Sequence, residues 1–346
     1  MSPNVELTRQ IKAKARELGF DLVGVCPAIE PAGFARFCEW LDCGYAGEMS
    51  YLWKRKEAYR HPQSVMEGVR SIVMLGMRYF NTQRITAQPG TGLVAKYAWG
   101  DVDYHDLIHQ RLKQLKRFTE EQEVANVRGV VDTAPLLERE FAQLAGLGWV
   151  GKHTLLINKE QGSWFFLAAL LVDEELDDDE PFKEDHCGTC TACIDVCPTD
   201  AIVEPYVLDG SRCISYLTIE LRDEVPNEFR QGMGDWLFGC DLCQDVCPWN
   251  GRAPQSREAG FVPKDDSNPM DLPQLFYLTD DEFRQRFRKT PLWRPKRRGI
   301  LRNAAIVLGN QRHQPAVPAL THGLEDEETL VRDACHWALE QMDSAN

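Results

Sequence analysis

The chain has 346 residues, 53 Asp and Glu against 39 Lys and Arg, a formal net charge of −14, and 12 cysteines. That length allows a catalytic core plus one or two smaller units. No stretch approaches 18 uninterrupted apolar residues, and the opening Met1-Ser-Pro-Asn-Val-Glu has no basic run followed by an apolar one, so neither a membrane span nor a leader is expected. A soluble, cytoplasmic chain is the expectation, and there thiols stay reduced and a cysteine-rich pattern means metal or redox work.

Residues 5–18 place Leu7, Ile11, Ala15 and Leu18 on one helical face, with Gly19 as the stop. Residues 21–26 read as a buried strand and 34–41 as a short amphipathic helix. Cys26, Cys38 and Cys43 lack ligand spacing and are expected as core thiols. Residues 49–62 mix aromatics with cations, which suits a solvated helix and an anion-binding one equally. A second strand follows at 71–77, a loop at 82–92, and a helix carrying Leu107, Ile108, Leu112, Leu115 and Phe118.

The third strand, 128–132, ends at Asp132. Ahead of Pro135 that carboxylate suits a helix N-cap. Behind an apolar run it also suits a raised pKa that keeps a proton at neutral pH; position alone favours the cap. A helix is expected at 135–144. Gly146, Gly148 and Gly151 would let the backbone pass close to something flat or bulky. Residues 164–172 form a long apolar strand. Helices and strands thus alternate through residue 172, which predicts a layered α/β domain.

Cysteine spacing dominates the chain from residue 187 to 248. Cys187, Cys190, Cys193 and Cys197-Pro198, then Cys213, then Cys240, Cys243 and Cys247-Pro248 give two four-thiol sets. The C-x2-C-x2-C-x3-C-P rule sends the fourth thiolate to the other cluster. One [4Fe-4S] cluster is therefore expected on Cys187, Cys190, Cys193 and Cys247, and a second on Cys197, Cys213, Cys240 and Cys243. Structural zinc is the alternative, and the 26 residues between Cys213 and Cys240 depart from the simplest pattern.

Charge is uneven. Residues 173–185 hold nine acids in thirteen positions, whereas 284–324 hold none, against Arg284, Arg286, Arg288, Lys289, Arg294, Lys296, Arg297, Arg298, Arg302 and Arg312. Such a run suits phosphate binding. Three short helices, 300–308, 316–324 and 328–342, close the chain in a HEAT-like rhythm, with Cys335 and His336 as packing residues.

Two clusters pass single electrons, and the long α/β part ahead of them implies that the electrons are consumed in the same chain. The runs Val131-Asp132-Thr133-Ala-Pro135-Leu-Leu-Glu138-Arg139, Ala145-Gly-Leu-Gly-Trp-Val-Gly-Lys152-His153-Thr154 and Cys213-Ile-Ser-Tyr-Leu-Thr-Ile-Glu220, with the cysteine pattern, resemble the epoxyqueuosine reductase family across nearly the whole chain. That family is a cobalamin-dependent, iron–sulfur relative of the reductive dehalogenases. It reduces the epoxide of epoxyqueuosine to an alkene in tRNAs for Tyr, His, Asp and Asn, the last step of queuosine synthesis.

The resemblance implies an α+β or layered α/β cobalamin-binding domain at 1–180, an inserted ferredoxin-like two-cluster module at 181–255, and a basic connector with a HEAT-like tRNA-binding region at 256–346. It overturns the cap reading and makes Asp132 the proton donor. Arg60, Tyr97, Ala98, Asp132, Leu156, Leu167, Ser215, Cys240 and Asp241 become candidate cobalamin contacts, with the glycines around Gly148 skirting the ring and the cobalamin base-off. Tyr104, His105, Thr218, Glu220, Arg294, Lys296, Arg297 and Arg298 become candidate tRNA contacts. An external electron donor, no membrane and a monomeric state complete the expectation. A reductive dehalogenase and a non-catalytic electron-transfer protein are the rival readings.

Overall fold

The computed structural model describes residues 3–81, 85–263 and 268–343. A four-stranded sheet runs in the order Leu22–Pro27, Ser71–Arg78, Phe165–Val172, Val127–Val130, and every neighbouring pair is antiparallel. Side chains alternate across a strand. Val73, Leu75 and Met77 accordingly enter one core with Ile11, Ile108 and Leu112, while Ile72 and Met74 enter another with Phe141 and Leu147. The helices Pro3–Glu17 and Tyr104–Glu120 cover the first face and Glu138–Leu144 covers the second. The expected layers are present, but antiparallel pairing makes the arrangement α+β.

Several expectations change in the structure. The helix expected from residue 135 starts at Glu138, because Thr133 and Leu136 turn back onto the carbonyls of Val131 and Ala134. Thr91–Val94, which overlaps the last two residues of the expected loop, is a strand; residues 82–84 of that loop lie outside the described residues. Cys26 and Cys335 are buried and Cys38 is half-buried, but Cys43 is exposed past the helix Phe34–Asp42. His336 is also exposed, 3.5 Å from Glu340, and so is no packing residue.

A second sheet joins strands far apart in the chain: Trp236–Phe238 pairs with Thr91–Val94, which pairs with Met270–Asp271. The core around it joins Val94, Trp99, Phe238, Leu272, Leu301 and Val331. Helices Lys296–Gln311, Val317–Gly323 and Thr329–Asp343 close the fold. Among the described residues no helix is long and apolar enough to cross a membrane.

A buried polar joint holds the first of these helices. Arg302, only 1% exposed, donates to the carbonyls of Leu217, Leu221 and Asp223 at 2.6, 3.0 and 2.6 Å. Asn303 donates to those of Thr218 and Leu237, both at 2.9 Å. The last carbonyls of the helix Ile214–Ile219 have no intrahelical partner, and this joint supplies one. Asn303→Ala would leave two buried carbonyls unsatisfied and should lower unfolding stability by about 2–4 kcal/mol, measured by denaturant titration.

Candidate active site

Asp132 sits two residues past the strand Val127–Val130 in a left-handed backbone conformation, φ 55°, which costs a non-glycine residue roughly 1–2 kcal/mol. Side-chain bonds to the loop hold it there. The Asp132 N–H donates to Glu138 Oε1 at 2.9 Å, and Arg55 Nη1 donates to the Thr133 carbonyl at 2.9 Å. Its carboxylate Oδ2 accepts from the Tyr104 hydroxyl at 2.8 Å and faces His105 Nε2 at 3.2 Å. Asp103, the N-cap of the helix Tyr104–Glu120, orients the imidazole from behind, with Oδ1 2.8 Å from His105 Nδ1. Asp132 therefore caps no helix.

The proton balance of this cluster reverses one expectation. Loss of solvent pushes the Asp132 carboxyl up, but the bonds from His105 and Tyr104 outweigh it and hold the group below its usual range. For His105, desolvation works downward, yet Asp103 and Asp132 raise it to about 9. Desolvation and the Asp132 charge push Glu138 up to about 8. The raised carboxyl is thus Glu138, six residues away from the one anticipated, because Asp132 has an imidazole and a phenol to stabilise its charge.

Asp132 keeps 51% of its side chain open to solvent, so it forms part of a cleft wall. Tyr51, Tyr59, Tyr97 and Arg294 lie close enough to respond electrostatically to its charge. Arg294 reaches Glu220 at 2.6 Å. Tyr104 stacks on Phe166, with centroids 4.1 Å apart and an interplanar angle of 7°, and meets Tyr97 edge-on at 6.0 Å. Phe166 and Leu167 are half-buried at the open end of an otherwise mostly buried strand. Arg55, Tyr51, Tyr59 and Glu138 received no role from the sequence. Glu138 lay within a motif already singled out, while the others come from a segment that gave only an aromatic and basic composition.

Other candidates are placed differently. Arg60 points to Glu57 and Glu30 and lies over the Phe34 ring at 4.5 Å. Thr218 is fully buried: its hydroxyl donates to the Ile214 carbonyl and accepts from Gly239 N–H at 2.9 Å, so it positions the backbone before Cys240 and cannot touch a nucleic acid. The glycines are required by their own chain. A Cβ at Gly148 would lie 2.0 Å from the Ile157 carbonyl oxygen, and one at Gly146 2.7 Å from that of Glu180, so their own chain fills the space. Ala98 and Leu156 are buried, and Ser215 and Cys240 are half-buried.

The eight thiols of the two expected sets feel one another's charge. The Cys193 thiol, raised first by burial, also feels Cys187 and Cys190, and Cys247 feels Cys187 and Cys193. Cys213 feels Cys197, Cys240 feels Cys213 and Cys243, and Cys243 feels Cys213, Cys193 and Cys197, so the two expected sets lie close together. Backbone N–H groups point at several sulfurs, Ala201 N–H reaching Cys197 Sγ at 3.3 Å; such bonds stabilise thiolates and tune a bound cluster. Two sets of four thiols with amide donors fit two [4Fe-4S] clusters. Asp241, between Cys240 and Cys243, accepts from the Lys96 amide at 2.8 Å.

The basic stretch divides. Arg297 pairs with Asp326 at 2.8 Å and Asp280 at 3.2 Å, Arg298 lies 3.7 Å from Glu328, and Arg302 is buried, so acids from outside the run and backbone carbonyls occupy these three. Lys296 lies over the Trp293 ring at 4.3 Å and is exposed. Arg284, Arg286, Arg288 and Lys289 are exposed and line a cavity of about 580 Å³.

Residues 186–250 match the model of a 4Fe-4S double cluster binding domain, which replaces the zinc alternative, and residues 60–133 match the model described as epoxyqueuosine reductase QueG, DUF1730. The epoxyqueuosine reductase of Vibrio cholerae is 40% identical over 343 residues, covering 97% of this chain and 92% of its own. A crystal structure of epoxyqueuosine reductase with a tRNA-Tyr epoxyqueuosine-modified stem loop superposes with a TM-score of 0.90 at 30% identity, covering 97% of this chain and 90% of that one. The Bacillus subtilis epoxyqueuosine reductase, with an aspartate-bearing catalytic loop swung out of the active site, superposes with a TM-score of 0.87 at 29% identity and the same coverage. The chain belongs to the epoxyqueuosine reductase family.

Proposed function

We propose that this chain reduces the epoxide of epoxyqueuosine, carried in a tRNA anticodon loop, to the alkene of queuosine. Each ring opened takes up two electrons and two protons and releases one water. The observation that carries the reading is the Asp132, Tyr104 and His105 cluster. A strained backbone aims a carboxylate into an open cleft with a proton-bearing imidazole behind it. Tyr97 joins this cleft to the thiols: it packs on Tyr104 and Phe238, and a Cβ on Gly239, the residue before Cys240, would lie 3.6 Å from its ring.

Cobalamin bound base-off would supply a low-valent one-electron centre beside this cluster. The half-buried floor of Tyr97, Phe166 and Leu167 suits the flat, largely apolar face of a corrin. Tyr97, Ala98, Asp132, Leu156, Leu167, Ser215 and the backbone of Cys240 and Asp241 would hold it, whereas Arg60 is turned toward Glu30.

The protein's own part is proton handling. His105 stores the proton and Asp132 the charge, and an epoxide oxygen beside Oδ2 receives the proton through the carboxyl as the C–O bond breaks. Tyr104 keeps that carboxylate aimed. Glu138, protonated near neutrality, is a source for the second proton. The exposed Arg284, Arg286, Arg288, Lys289 and Lys296, with Arg294 and Glu220 nearer the cleft, would orient the tRNA through its phosphates. We assign catalysis to residues 1–180, the clusters to 181–255 and tRNA docking to the HEAT-like region at 256–346. The whole works as a cytoplasmic monomer fed by an external one-electron donor.

The direct test is anaerobic reconstitution with cobalamin and a reductant, followed by nucleoside analysis of tRNA carrying epoxyqueuosine. Asp132→Asn should lower turnover by at least roughly 10²-fold with tRNA affinity unchanged. Full activity in that variant would remove Asp132 from the chemistry, and a parent chain that leaves the epoxide intact would favour the electron-transfer rival. A pH experiment tests the proton store separately. The folded pKa of His105, about 9, lies above its ordinary 6.5, so its stabilisation is complete below 6.5 and fades as pH rises through 9. The gap in thermal midpoint between the parent and His105→Gln should be widest near about pH 6 and close above about pH 9. An undiminished gap at about pH 10 would contradict the assignment.

A further inference from the structure

The glycine-rich run Ala145-Gly-Leu-Gly-Trp149-Val-Gly151 carries a polar group to which the epoxide chemistry gives no role. Trp149–Val150 pairs antiparallel with Leu156–Ile157, so the ladder occupies the backbone of Trp149 and leaves its side chain for other work. The indole is 1% exposed, and its Nε1–H has no hydrogen-bond partner among the described residues. A buried donor without an acceptor is costly and rare in a folded chain.

The surroundings of the ring narrow the choice of acceptor. Phe182 stacks on it with centroids 5.5 Å apart, and His186 and Trp249 meet it edge-on at 5.0 and 5.1 Å. Ile157, Cys187 and Cys247 complete the same packing. Ring faces accept only weakly. Cys187 and Cys247, however, are expected ligands of one cluster, which would stand against this aromatic box. Such a cluster brings sulfide and thiolate sulfur, both of which accept from N–H groups. In the other expected set Cys197 already accepts in this way, from the Ala201 amide at 3.3 Å.

We propose that the Trp149 indole N–H donates a hydrogen bond to a sulfur of the cluster expected on Cys187, Cys190, Cys193 and Cys247, and that Trp149 is thereby a positioning residue that raises the reduction potential of that cluster. Accepting an electron adds one negative charge to the iron–sulfur core, so a donor aimed at its sulfur stabilises the reduced state more than the oxidised one. The aromatic walls keep water from competing, and a low local dielectric strengthens the bond. The inference rests on the double-cluster reading and not on the epoxide chemistry.

The test uses the full chain, grown with tryptophan carrying nitrogen-15 in the indole and reconstituted anaerobically with iron and sulfide. Dithionite takes each cluster from the 2+ to the 1+ core by one electron. Pulsed electron paramagnetic resonance should then show a nitrogen-15 coupling to a reduced cluster. Trp149→Phe, which keeps a ring and removes the N–H, should abolish that coupling at unchanged iron content. In a redox titration it should move one reduction wave to more negative potential with the other in place. Trp249→Phe, which alters another wall of the same box, should keep the coupling. A parent without the coupling overturns the proposal and leaves the indole to a ring face or a buried water. So does a coupling that Trp149→Phe spares, or that Trp249→Phe abolishes. Trp149→Phe with full iron and both waves at parental potentials, or both shifted equally, overturns it as well. If Trp149→Phe loses iron, benzothienylalanine at position 149, which keeps the bicycle and has no N–H, takes its place under the same criteria. Loss of iron there too makes the residue a wall, and the proposal falls. A parent chain that takes up no iron would instead remove the cluster assignment beneath it.

Discussion

Burying an ammonium without a counter-charge costs several kcal/mol, and Lys96 avoids this only because Asp241 and Asp245 come to it. That requirement organises the centre of the molecule. Asp241 lies between Cys240 and Cys243, so fixing its carboxylate fixes the span between two thiols. The same carboxylate accepts the Lys96 amide, which sets the backbone immediately before Tyr97. One buried ion cluster thereby sets both a thiol loop and the aromatic wall of the cleft, and Lys152 ties the other loop down through the carbonyls of Gly188 and Cys190.

The acid end of the cleft is built on strain rather than on burial. Asp132 adopts a left-handed backbone conformation, which aspartate reaches more readily than most non-glycine residues, and Glu138, Arg55 and Tyr104 hold it there. Restraints of this kind set direction: the carboxylate faces the opening instead of folding back to satisfy the amides of the next turn. The protein thus stores its proton on a neighbouring imidazole and leaves the carboxylate charged.

The sequence showed most clearly what is local. Thiol spacing is a property of one short loop, and it pointed to the double-cluster domain that residues 186–250 match. Strand periodicity also placed the four central strands to within a few residues. What it could not show depends on distant partners. Arg297 and Arg298 look like free cations until Asp280, Asp326 and Glu328 arrive from outside the basic run. Thr218 looks like a contact residue until its hydroxyl is seen holding Gly239. The glycines at 146 and 148 are taken up by close approaches of Glu180 and Ile157. Whether the Asp132 carboxyl is charged depends on His105 across the sheet mouth, which no linear pattern reveals.

The second sheet draws its strands from residues 91–94, 236–238 and 270–271, and its core closes only with Val331 and Met342. Chemical division of labour along the chain therefore does not coincide with units of folding. A ribosome must release nearly the whole polypeptide before that core can form, and until then Cys213 and Cys240 lack the packing that Ile306 and Trp337 complete. Maturation of the metal centres is thereby coupled to completion of the C-terminus, and a fragment excised around the cysteines would lack the strand partners it needs to persist.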